Sequence, residues 1–147
     1  MKKYSEIRKF ILFFIFAFSI SVFYAAACSD NATEPSNEVV LPDSNLNFTE
    51  HIRPLFINRC ASRSGCHSSF EPAGGLDLTN YLEISTHLID GSVPLIIPGQ
   101  GSESFLYLIL IAPQLGRDRM PKDEAPLSGK NISGIRTWID EGALEFP

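Results

Sequence analysis

Two thiols and an imidazole set close together constrain this chain more than any other feature. In residues 58–69, NRCASRSGCHSS, five residues separate Cys60 from Cys66, and His67 follows Cys66 directly. A Cys-x-x-Cys-His run marks covalent haem attachment, and here the spacer is longer by three. The residues alone leave four readings open: a haem turn with an enlarged loop, a disulfide, a metal clip, or chance. The choice matters for folding because the rest of the chain offers only short apolar stretches. A domain of about 100 residues built from short helices and long loops buries little apolar area, and an added core or staple is the usual remedy. A haem is one such core and a disulfide is another.

The N-terminus is organised differently. Lys2, Lys3, Arg8 and Lys9 precede an apolar run over residues 10–27 that ends in small residues, AAA. A basic opening, an apolar stretch and a small-residue end describe an export signal, here residues 1–27. Cys28 follows at once, and a polar tract rich in Ser, Asn, Asp, Glu and Pro follows it. This is the pattern of a bacterial lipoprotein: cleavage before Cys28, lipid on its sulfur, and a flexible tether through residue 47. Lipid on Cys28 also resolves the odd count of three cysteines, leaving Cys60 and Cys66 to act as a pair. The expected location is the periplasm-facing or cell-surface leaflet of a membrane, reached through that lipid.

Charge narrows the partners. Without residues 1–27 the chain holds 8 Lys and Arg against 16 Asp and Glu, a net charge of −8. No basic face remains to neutralise phosphates, so nucleic-acid binding is disfavoured. The three Asn-x-Ser/Thr triplets, at Asn31, Asn47 and Asn131, read as chance in an exported bacterial chain.

Residues 48–147 form one expected domain. NFTEHIRPLFINRC reads as a helix capped by Thr49, with Pro54 in its first turn or at a kink and Cys60 at its end. EPAGGLDL turns on Gly74 and Gly75. IIPGQGSESFLYLILIAP turns at Pro98-Gly99, caps at Ser102 and runs helically to about Ile111. GRDRMPKDEAPLS is charged, proline-containing and irregular. The last helix caps at Ser128, sets Ile132, Ile135 and Ile139 along one face with Trp138 beside them, and ends at Gly142. No run alternates convincingly between apolar and polar, so the expected class is all-α, three to five short helices joined by long loops.

Covalent attachment needs two thiols to add across two vinyl groups on one porphyrin edge, with a histidine on the same turn to coordinate iron. The ASRSG insert suits a bulge, being small and polar with Gly65 free to take a positive φ. Apart from the initiator, Met120 is the only methionine, and it sits between charged residues in GRDRMPKDE. A lone methionine is commonly core filler, but this neighbourhood is a poor core. Pro121 biases Met120 towards extended backbone, and a thioether held so in a polar loop fits an axial ligand. Histidine with methionine is the ligation that raises the potential of c-type cytochromes.

Cys60, Cys66-His67, GGLDL (74–78), PGQGSESFL (98–106), MP (120–121), PLS (126–128) and WIDEGA (138–143) occur in the order seen in planctomycete-type cytochrome c domains, which the chain resembles from about residue 48 to 143. The resemblance implies a cytochrome-c-like helical fold around one haem c. It implies Cys60 and Cys66 as thioether attachment points, and His67 and Met120 as the axial ligands. The function it implies is single-electron transfer to a redox partner protein, with no catalysed reaction. The long spacer departs from the family pattern and bears on how many thioether bonds form.

The main rival is a haem-free exported binding or structural module stapled by a Cys60–Cys66 disulfide, since export favours oxidation. A zinc site would need Cys60, Cys66, His67 and either His51 or His87, without a second Cys/His pair at the usual spacing. Asp77, Asp90 and Asp118 show no paired spacing, and no serine sits in a nucleophile signature. Arg117 and Arg119 read as a solvated charged loop or as partners for haem propionates. Trp138 is expected to pack the last helix against the first, or against the porphyrin edge.

Overall fold

The computed structural model describes residues 39–147. The expected export signal (1–27), the lipidation site Cys28 and the tether up to residue 38 lie outside the described residues. Among the described residues no helix is long and apolar enough to cross a membrane.

Asn47 starts the first helical segment: its side chain accepts from the Glu50 amide at 2.8 Å, so the cap lies two residues before Thr49. A wide π turn over Phe48–Ile52 leads directly into α1, Arg53–Arg59. Pro54 falls in the first turn of α1, where its missing N–H costs nothing. The sharp turn Ala73–Gly75 follows, then α2, Tyr81–Thr86, capped by the Asn80 side chain on the Leu82 amide at 3.0 Å. A single turn at Gly101–Glu103 precedes α3, Phe105–Ile111, and α4 spans Gly129–Asp140. Ser128 caps α4 through the Asn131 amide at 3.3 Å.

The all-α expectation is overturned. Between α2 and α3 the chain makes an antiparallel hairpin, β1 (Leu88–Ile89) against β2 (Val93–Pro94), with Ile89 opposite Val93 and Leu88 opposite Pro94. The fold is therefore a small mixed one. The strands are two residues long, too short for alternation to register. Their signal lies in the connection, where Asp90 and Gly91 both take positive φ, 50° and 71°. An Asp-Gly pair between apolar neighbours is a strong local hairpin marker.

The core gathers Phe48, Leu55 and Phe56 from the first segment, Phe105 and Leu106 from α3, and Ile135, Trp138 and Ile139 from α4. Trp138 is fully buried and packs on the first segment, its ring 6.2 Å from that of Phe48, while Nε1–H donates to the Leu144 carbonyl at 2.9 Å. Phe48 also meets Tyr81 at 5.6 Å, and the Tyr81 hydroxyl donates to the Ala143 carbonyl. The C-terminal strap is tied down by the Phe48 and Thr49 amides, which donate to Leu144 and Glu145.

The domain begins earlier than residue 48. Leu41 and Leu46 are buried, although residues 39–47 read as tether in the sequence. The buried Asn131 side chain accepts from the Leu41 amide at 3.0 Å and donates to the Val39 carbonyl at 2.7 Å. Leu41 rests on Gly134, where a Cβ would come within 2.7 Å of its Cδ1. Glu141 adds a carboxylate fork to the amides of Asn45 and Leu46. Composition marked this stretch as polar, but two leucines and a partner 90 residues away decide its placement.

Candidate functional site

α1 ends by delivering Cys60, whose amide donates to the Phe56 carbonyl at 2.8 Å. The chain then leaves the helix for residues 61–66 and returns. The His67 amide donates to the Cys60 carbonyl at 3.0 Å, closing the excursion at its base. Gly65 takes φ 80°, the positive value that the bulge requires. The insert is thus looped out, and Cys60 is held against Cys66-His67 in space despite the long spacer.

The next segment folds back over this turn. The Ala73 amide donates to the Cys66 carbonyl at 2.9 Å, and the Leu78 amide to the His67 carbonyl at 3.0 Å. The turn at Ala73–Gly75 brings the Leu76 carbonyl to 3.2 Å from His67 Nδ1. A carbonyl only accepts, so Nδ1 carries the proton and Nε2 the lone pair. Burial, together with the neighbouring His87, holds the His67 pKa below its usual value against the pull of backbone hydrogen bonds to Leu76 and Ala73. The ring is accordingly neutral at neutral pH and suited to metal ligation through Nε2.

The facing wall comes from α3 and the charged loop after it. The Met120 amide donates to the Ile109 carbonyl at 2.9 Å, fastening the loop to α3, and Met120 is half-buried against the core. The Met120–Pro121 peptide is cis. Arg119 donates to the carbonyls of Met120 and Glu124 at 3.0 and 3.3 Å. Arg117 forks onto both carboxylate oxygens of Asp90, at 2.6 and 3.1 Å, joining the loop to the hairpin. Both arginines therefore have protein partners, more than the solvated loop expected of them.

These walls enclose a cleft of about 800 Å3, within the usual range of about 300–1,000 Å3 for cofactor pockets. Cys60, Cys66, His67 and Met120 all line it. Its floor is apolar, with Phe56, Leu76, Leu78, Leu95, Phe105 and Ile109, and its mouth is charged, with Arg59, Asp118, Lys122 and Glu124 among others. Cys60 and Cys66 are both free thiols. Burial pushes the Cys60 thiol up to about 12, with Cys66 and Glu124 adding to the effect and Arg59 opposing it. Cys60 is thus a neutral S–H at the cleft wall.

The other sequence candidates are not gathered here in the same way. His87 lines the cleft, whereas His51 accepts from the Asn47 amide at the start of the first helical segment. Among the described residues no three His, Cys, Asp or Glu side chains come together as a metal-ion site, which leaves the zinc reading without a ligand set. Sequence reasoning missed the contacts between the cysteine loop and the Met120 loop: Arg63 pairs with Glu124 at 3.1 Å, and Arg59 donates to the Ala125 carbonyl at 3.0 Å. No short-range pattern encodes them.

The chain matches no family model, no curated protein and no solved structure in the three comparisons made.

Proposed function

We propose that the cleft binds one haem c and that the protein is a single-electron carrier. The observation that carries this reading is the convergence of two free thiols, the neutral His67 imidazole and the Met120 thioether on a single cleft with an apolar floor. The residues fit the group on three counts. The cleft has a cofactor's volume and an apolar floor. The His67 tautomer leaves Nε2 as the ligating atom. The looped-out insert brings Cys60 beside the Cys66-His67 pair, as two-point attachment on one porphyrin edge requires.

In this reading Cys60 and Cys66 would hold the haem covalently through their sulfurs. His67 and Met120 would hold its iron, through an imidazole nitrogen and a thioether sulfur. When bound, the haem provides the one-electron iron couple, and imidazole with thioether ligation favours a raised potential. The chain's own contribution is positional. Leu76 orients His67, Ile109 fastens the Met120 loop, and the apolar floor excludes water, so that little rearranges when charge changes. A redox partner protein would meet the charged mouth of the cleft. Export and a lipid on Cys28 would tether the domain to a membrane surface.

The decisive experiment is export of the full chain together with a c-type haem maturation system, followed by haem staining and intact mass. The expected mature mass includes one covalently held haem. A mature chain without porphyrin or haem absorbance, with Cys60 and Cys66 joined, overturns the cytochrome reading in favour of a disulfide-stapled module.

A further inference from the structure

The excursion between the two cysteines reaches the opposite wall of the cleft. Arg63, at its centre, sets Nη1 3.1 Å from Oε1 of Glu124, four residues beyond Met120. Arg59, directly before Cys60, donates through Nη2 to the Ala125 carbonyl at 3.0 Å. Two guanidiniums flanking Cys60 therefore hold consecutive residues of the segment that follows Met120. That segment is braced internally as well, because Arg119 donates to the carbonyls of both Met120 and Glu124. Arg119 thus links the backbone at Glu124 to the backbone at Met120. The Glu124 side chain is 21% exposed and that of Arg63 70%, so the pair runs from the cleft edge into solvent.

We propose that the enlarged spacer is a clasp on the loop of the distal ligand: Arg63, seconded by Arg59, positions Met120 by holding Glu124 and Ala125. The proposal rests on the haem reading above and gives its unusual spacer a role. A partly exposed ion pair contributes little to global stability. Local opening of one loop has a much smaller free energy than global unfolding, so the same pair weighs heavily there. The clasp should accordingly govern how often Met120 leaves its position, and leave the melting temperature almost untouched.

The test uses the haem-loaded full chain and imidazole as a competing ligand. The apparent affinity of a competitor scales with the fraction of molecules in which Met120 is displaced. Arg63→Ala and Glu124→Gln should each tighten imidazole binding about two- to fivefold, the range set by exposed ion pairs. The charge exchange Arg63→Glu with Glu124→Arg should restore it. Added salt should tighten imidazole binding to the parent chain and have less effect on Arg63→Ala, since screening removes the same interaction. In the haem-free chain, amide exchange over residues 120–125 should quicken in Arg63→Ala. Haem-loaded Arg63→Ala with unchanged imidazole affinity overturns the clasp and leaves the cytochrome reading standing. A chain that takes up no haem overturns that reading, and the ligand-positioning role falls with it.

Discussion

His67 Nδ1 lies 3.2 Å from the carbonyl oxygen of Leu76, a residue nine positions further along the chain. Three other bonds fix this meeting: the His67 amide to Cys60, the Ala73 amide to Cys66 and the Leu78 amide to His67. The imidazole is thereby oriented by backbone hydrogen bonds. In the proposed cytochrome, replacing His67 by Ala removes the only ligand on the attachment turn. No haem should be incorporated, as read by absorbance of the exported chain. Normal haem uptake in this variant would assign the ligand to another residue, His87 being the other histidine on the cleft wall.

The same burial makes a prediction about acid. His67 is held below its ordinary pKa of 6.5 in the folded chain, so the unfolded chain binds the proton more readily. Stability then rises with pH across that window. The contribution is complete above 6.5, falls as pH drops through 6.5, and stops falling once the lowered folded value is passed. Urea midpoints of the haem-free domain should be lower at about pH 5.5 than at about pH 7.5. His67→Gln should flatten that slope. An equal slope in the variant would assign the acid sensitivity to other groups.

In the proposed cytochrome, Met120 would separate an electron carrier from a haem protein with an open site. Met120→Ala leaves a thioether-sized gap on the wall facing the cleft and should cost about 2–3 kcal/mol of packing at most, since Met120 is only half-buried. The haem spectrum of the variant should change from low spin to that of an open or water-filled sixth position. An unchanged spectrum would remove Met120 from the ligand set.

Much of the local structure was legible because its causes are local. Pro54 in a first turn, Ser128 as a cap, the end of α3 at Ile111 and Gly142 beyond the end of α4 all follow from residue chemistry within a few positions. Near misses had the same character: Asn47 caps in place of Thr49, and the turn Gly101–Glu103 displaces the start of α3 from Ser102 to Phe105. The cleft residues could be chosen from sequence because thiols, imidazole and thioether are chemically distinctive. Their convergence could not be read so directly, since it depends on the amide of His67 closing onto Cys60 across the insert. The hairpin escaped because its strands are too short to alternate. The docking of residues 39–47 and the bonds from Arg59 and Arg63 escaped because their partners are 61 to 96 residues away.

The seam between Asn131 and residues 39–47 offers the sharpest stability test. Asn131 is fully buried and serves both a donor and an acceptor of the preceding segment, the Leu41 amide and the Val39 carbonyl. Ala at 131 leaves both groups without that partner, next to a buried leucine. The cost should be about 2–3 kcal/mol, enough to lower the melting temperature by on the order of 10 °C in a domain of this size. Gly134→Ala attacks the same seam by another route, because its Cβ would meet Leu41 at 2.7 Å and force it outward. Both variants should expose residues 39–47 to limited proteolysis before the rest of the domain unfolds. Lys130→Ala, one position away, removes only an exposed pair with Asp43 at 3.3 Å and should change stability by less than about 0.5 kcal/mol. If Asn131→Ala melts with the parent chain, residues 39–47 contribute no stability and the folded domain begins at residue 48 after all.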